Sequence, residues 1–216
     1  MNYITEIAID GKATVVAKPD TISLLIRMSA KAPSYTDTVQ KLNEGAREVS
    51  GALTECKVLG RPQTREYSVD EDWQHQYDDT KRKFIGYVGV QQLVVDFAID
   101  MNVLGNVLQG LGATDIKPSV STYFKVKDQA TMFAQARKNA MTAATLTAND
   151  MAVQMRLKIV GVKSMQYNMS SDGSPHSLHL AYESDSLAKA SFSMPEIVPE
   201  EVSNTVNVSI VWLAVV

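Results

Sequence analysis

The densest run of side chains able to do chemistry is "DEDWQHQYDD", Asp70 to Asp79. It holds five carboxylates, an imidazole, an indole and a phenol. Carboxylates and imidazole are ligands for divalent cations, so Asp70, Asp72, His75 and Asp78 are the candidate metal ligands. Strand geometry works against them. On a strand, Glu71, Trp73, His75 and Tyr77 face one way, and Asp70, Asp72 and Asp78 the other. Glu71 and His75 then lie about 13 Å apart, too far to share one ion. No calcium-loop spacing with its turn glycine is present. The run reads first as an exposed charged hairpin, with a small-ligand or divalent-cation site as the alternative.

Other chemistry is harder to find. His176 and His179 have no acid or cysteine pattern beside them. The chain has no Gly-rich phosphate loop, no G-x-S-x-G, no H-E-x-x-H and no paired cysteines. The glycines of "GNVLQGLG" (105–112) fall in an amphipathic helical pattern and miss the dinucleotide fingerprint. The expectation is therefore no catalytic residue, no enzyme activity and no cofactor.

Composition narrows the classes further. The 216 residues are 45% hydrophobic, enough for a sizeable core without disulfides. Cys56 is the single cysteine, and its place on an apolar helical stripe suits a buried, inert thiol. With 21 basic and 24 acidic residues well mixed, no broad field exists for nucleic acid. No run is apolar and long enough to span a bilayer. The first ten residues do not read as a signal peptide. The expected compartment is cytoplasmic as the chain stands, or periplasmic if a leader has been removed.

The elements follow from periodicity. Thr21 to Ala30 alternates as a half-buried strand, and Pro19–Asp20 breaks it from an earlier strand ending at Ala17. Ser34 caps a helix with an apolar stripe at Val39, Leu42, Ala46, Val49, Leu53 and Cys56. Strands over 64–77 and 84–99 flank a charged turn. Asp100 caps a second helix that closes at Gly112, and a strand runs over 120–126. Asp128 opens a long alanine-rich helix. Further strands are expected over 157–169, briefly over 178–182, and over 202–212. From Thr21 to Val126 the order is β-α-β-β-α-β, a ferredoxin-like unit. The fold class is α+β: an antiparallel sheet with helices packed on one face, extended by the alanine-rich helix and further strands. No linker divides the chain, so 1–216 reads as one domain, with 170–201 as a flexible insertion within it.

Four segments resemble the SIMPL-domain family, formerly a domain of unknown function: "GKATVVAKPDTISLLIRM" from Gly11, "GYVGVQQLVV" from Gly86, "LGNVLQGLGA" from Leu104, and "AQARKNAMTAATLTANDM" from Ala134. The final alternating strand matches too. Gly11, Pro19, Asp20, Gly86 and Ala140 are the positions expected to carry structure. The family often has glycine just after the alanine helix and again a few residues later. Ala152 and Arg156 stand there in this chain, so an unusual helix end is expected. The resemblance implies no established enzyme activity. It implies envelope- or stress-linked proteins, some of them ring-like oligomers, and one that associates with a signalling kinase. The expectation is a non-enzymatic, oligomerising or partner-binding protein, a homo-oligomer with a possible protein partner.

Overall fold

The computed structural model describes residues 4–75, 82–171, 178–179 and 197–216. The elements run β1 (Ile4–Ala17), β2 (Thr21–Ala32), α1 (Tyr35–Glu55), β3 (Gln63–His75), β4 (Arg82–Ala98), α2 (Met101–Gly112), β5 (Ser119–Lys125), α3 (Gln129–Gln154), β6 (Lys158–Ser171), β7 (Leu178–His179) and β8 (Val202–Val215). The class is α+β, with two antiparallel sheets.

The chain divides into two compact units, each built on one sheet. The first takes the described parts of 1–19, 126–174 and 199–216; the second takes those of 20–125 and 175–198. The second unit contains the ferredoxin-like order read from the sequence. Its sheet runs β3-β4-β2-β5-β7, so β2, the first strand of the motif, lies between β4 and β5. Its core gathers Ile22, Leu24, Ile26 and Met28 of β2 with Leu42, Val49 and Leu53 of α1 and the apolar side of α2. The stripe of α1 is shifted from the expected one, because Thr38 and Gly45 are buried as well. Gly89 of β4 leaves room for Thr38 and Leu42, and Gly45 leaves room for Ile116.

The first unit is a three-stranded sheet, β1-β8-β6, with α3 on one face. The alanine-rich extension thus has its own sheet and its own core. Ala136, Ala140, Ala144, Ala148 and Ala152 meet Ile7 of β1 and Val206, Val208, Ile210 and Trp212 of β8. A side chain at Gly11 would collide with the Ala140 carbonyl oxygen and the Ala144 methyl group. Gly11 and Ala140 therefore mark the closest approach of strand and helix, and small residues on both sides make it possible.

Pro19–Asp20 is where the chain passes from the first unit to the second. Pro19 has no N–H for a ladder, and no strand continues through it. The Asp20 N–H donates to the Lys125 carbonyl, and its own carbonyl accepts from the Ile99 N–H. One residue thus ties the ends of β4 and β5 to the start of β2. Gly86 has φ +142°, and a side chain there would strike the Ala32 carbonyl.

The helix starts agree with the sequence reading. Ser34 accepts from the Asp37 N–H, Asp100 from those of Asn102 and Val103, and Asp128 from that of Thr131. The end of α3, expected to be unusual, closes in the common left-handed way. Ala152 lies within the helix, and the left-handed position falls at Arg156, φ +57°.

Candidate interaction surface

Helix width decides which strand of the first unit's sheet α3 leaves uncovered. An α-helix with its side chains is roughly 10–12 Å across, and strands in a sheet lie about 4.8 Å apart. One helix therefore roofs about two strands. Gly11 and the alanines seat α3 over β1 and β8, so the third strand, β6, lies beyond its cover.

The consequence can be read residue by residue. Val162, Met165, Tyr167 and Met169 of β6 stand opposite Trp212, Ile210, Val208 and Val206 of β8. Directly opposed residues share a face, so all eight point to the α3 side. The β8 members are at most 5% exposed, whereas the β6 members are 57%, 51%, 52% and 48% exposed. The stripe has the pattern of a core face without a core over it. Along the flank of α3, Ala134, Lys138, Met141 and Thr145 border an open trough. From the same flank the Arg137 guanidinium sits over the Tyr167 ring, 5.8 Å from its centroid.

A smaller exposed cluster lies in the second unit. Tyr35, Tyr87, Phe84 and Trp73 contact one another edge to face, with centroids 5.4–5.8 Å apart. The register shift at Asp72/Trp73, which leaves Ile85 of β4 without an opposite residue, keeps Phe84 and Tyr87 on one face although they are three positions apart. The Trp73 indole N–H donates to the Glu71 carboxylate, which places those two on the same face as expected.

The candidate ligand residues do not converge. Asp72 is held by the Lys31 ammonium at 2.7 Å, and Asp70 lies on β3 opposite Val88. The His75 side chain and the whole of Asp78 lie outside the described residues, as do Tyr77 and His176. His179 has its backbone on β7, opposite Ser121. Among the described residues no three histidines, cysteines or acids gather closely enough to hold a metal ion. Most of the 170–201 segment also lies outside the described residues.

Few titrating groups are perturbed. Burial pushes the Cys56 thiol upward, and the Glu55 charge adds to it. Partial burial raises the Asp96 carboxyl. Hydrogen bonds from Lys125 and Ser23, with the Lys125 charge, outweigh that and hold it below the usual range. The Thr131 hydroxyl and N–H lower Asp128, which is the helix cap doing its ordinary work.

The family model for SIMPL, described as a protein of unknown function (DUF541), matches residues 7–212. The chain belongs to the SIMPL family. That match crosses both units of the fold, so a SIMPL chain of this kind includes both the ferredoxin-like unit and the alanine-helix unit. A comparison with individually curated proteins returned no match. No described helix of this SIMPL protein is long and apolar enough to cross a membrane.

The sequence reading missed the bare stripe on β6. Its signal was present in "SMQYNMS" (164–170), which alternates polar and apolar as a half-buried strand does. Periodicity shows that a strand has an apolar face. It does not show whether anything lies over that face.

Proposed function

We propose that this SIMPL protein is a non-enzymatic module that works by association with other protein chains, itself or a partner. The observation that carries the reading is the half-exposed apolar stripe Val162, Met165, Tyr167 and Met169. Aromatic residues and methionine are favoured in the cores of protein interfaces, and exposed apolar patches mark such sites. The stress or envelope setting that the family resemblance implies belongs to the same proposal. Light scattering on the purified chain at tens of micromolar, with a pull-down from native extract, tests it. The expected result is a mass above one chain or a specific co-purifying protein. A strict monomer that captures nothing would overturn it.

The alternative, a cation or small-ligand site on the 70–79 hairpin, has less support, because Lys31 already engages Asp72. Calorimetric titration with calcium, magnesium and zinc decides it, and measurable heat with any of them would revive it.

A further inference from the structure

The sheet edges of this protein are not equally protected. Exposed edges invite pairing, and natural proteins blunt them with charges, bulges, proline or very short strands. On the first unit β1 carries Glu6, Asp10 and Lys12. On the second, β3 carries Arg65, Glu66 and Asp70 with two register shifts, and β7 is two residues long. The early part of β6 is also protected, by Lys158, Lys163 and two register shifts. From Ser164 to Ser171 every such device is missing. That half has no charge, proline, glycine or bulge, and among the described residues no strand pairs with its outer edge.

The same half is close to a palindrome. Ser164-Met165-Gln166-Tyr167-Asn168-Met169-Ser170 reads the same in chemical type from either end, centred on Tyr167. A two-fold interface brings one surface against its own copy, so it needs this kind of self-complementarity. We infer that the occupant of the β6 edge is a second copy of this chain, paired antiparallel about a two-fold axis at Tyr167. This rests on the association reading above and names its partner and register.

The geometry is definite. Tyr167 opposes Tyr167 of the other copy, Met165 opposes Met169, Gln166 opposes Asn168, and Ser164 opposes Ser170. Within the strand pair no charge opposes a like charge, and each Arg137 guanidinium stays over the Tyr167 ring of its own copy, one on either side of the axis. Met165, Tyr167 and Met169 stay on the α3 side in both copies, so the two bare stripes become one apolar floor flanked by two α3 helices. The sheet becomes β1-β8-β6-β6-β8-β1, closing the unprotected edge of each copy. A slip of one residue would turn the methionines to the polar face, so the pattern itself opposes it.

Two measurements on the full chain test the pairing. In a Cys56→Ser background, Tyr167→Cys places two thiols on directly opposed residues. Their Cα atoms would be about 4.5–5.5 Å apart, within disulfide reach. Mild oxidation is expected to give a covalent dimer, whereas Lys12→Cys on β1 is expected to give none. The second measurement is a charge swap read by sedimentation. Met165→Lys with Met169→Lys opposes like charges across the axis and is expected to weaken the dimer at least about tenfold. Met165→Lys with Met169→Glu opposes unlike charges and is expected to keep it. Met165, Tyr167, Met169 and Lys12 are exposed, Cys56 is partly buried, and circular dichroism checks that each variant is folded. Assembly that persists without the Tyr167→Cys cross-link and without a difference between the two charge variants would overturn the β6 pairing and leave the association reading standing. A folded monomer with no cross-link would overturn the pairing outright, and the pull-down would then decide the association reading separately.

Discussion

Asn204 is fully buried in β8, and neither its side-chain nitrogen nor its oxygen has a hydrogen-bond partner. Leaving buried polar groups unpaired costs about 1–3 kcal/mol each. Replacing Asn204 by Leu, which has the same branched shape without polar atoms, is therefore expected to raise stability by about 1 kcal/mol. The urea midpoint measures it, and a fall would show that the amide is needed. Asp96 gives a pH prediction. Its folded pKa is lowered, so its contribution is full above the ordinary aspartate range and is lost as pH falls through the folded value. The Lys125 contact is 2.6 Å but both side chains are substantially exposed, which limits the effect to under about 1 kcal/mol. Lys125→Met is expected to cost that much at pH 7 and almost nothing well below pH 4. An equal cost at both would show packing rather than charge. Neither residue could be singled out in the sequence, because burial without a partner and a contact across 29 positions both depend on the folded chain.

Helix ends illustrate what was and was not legible among the elements. Ser34, Asp100 and Asp128 could be read as N-caps because the signal is local: a short acceptor side chain before an apolar stripe. The C-terminal ends of α1 and α3 were less legible, because no glycine stands at their left-handed positions. At α1, the Val58 N–H donates to Leu53 and that of Lys57 to Thr54; at α3, Leu157 donates to Ala152 and Arg156 to Val153. Both are Schellman closures, with Lys57 (φ +58°) and Arg156 (φ +57°) in the left-handed position. A residue with a Cβ pays roughly 1–2 kcal/mol there relative to glycine. Lys57→Gly and Arg156→Gly are each expected to raise stability by about 1 kcal/mol in thermal or urea unfolding. No gain from either would mean that the side chains make compensating contacts. Gly11 gives the opposite case. Gly11→Val is expected to destabilise by about 1–3 kcal/mol, because it must push the Ala140 turn of α3 away from β1. An unchanged midpoint would contradict the close approach of that helix.

At the scale of the whole molecule, the β-α-β-β-α-β order and the antiparallel class were readable because each strand and helix carries its own period. The two cores were not, since the chain changes unit at Pro19–Asp20 and Lys125–Val126 with no composition shift to mark the passage. The bare side of β6 was hidden for a related reason. Coverage depends on how wide α3 is and where Gly11 seats it, and neither is a property of β6 itself. The proposed association places another protein chain over this half-exposed stripe. Light scattering across a concentration series tests it most directly, run on the native chain beside the Met165→Lys, Met169→Lys variant. The expected masses are at least two chains for the native protein at tens of micromolar and one chain for the variant. A native protein that stays at one chain throughout, and takes nothing from extract, would contradict it.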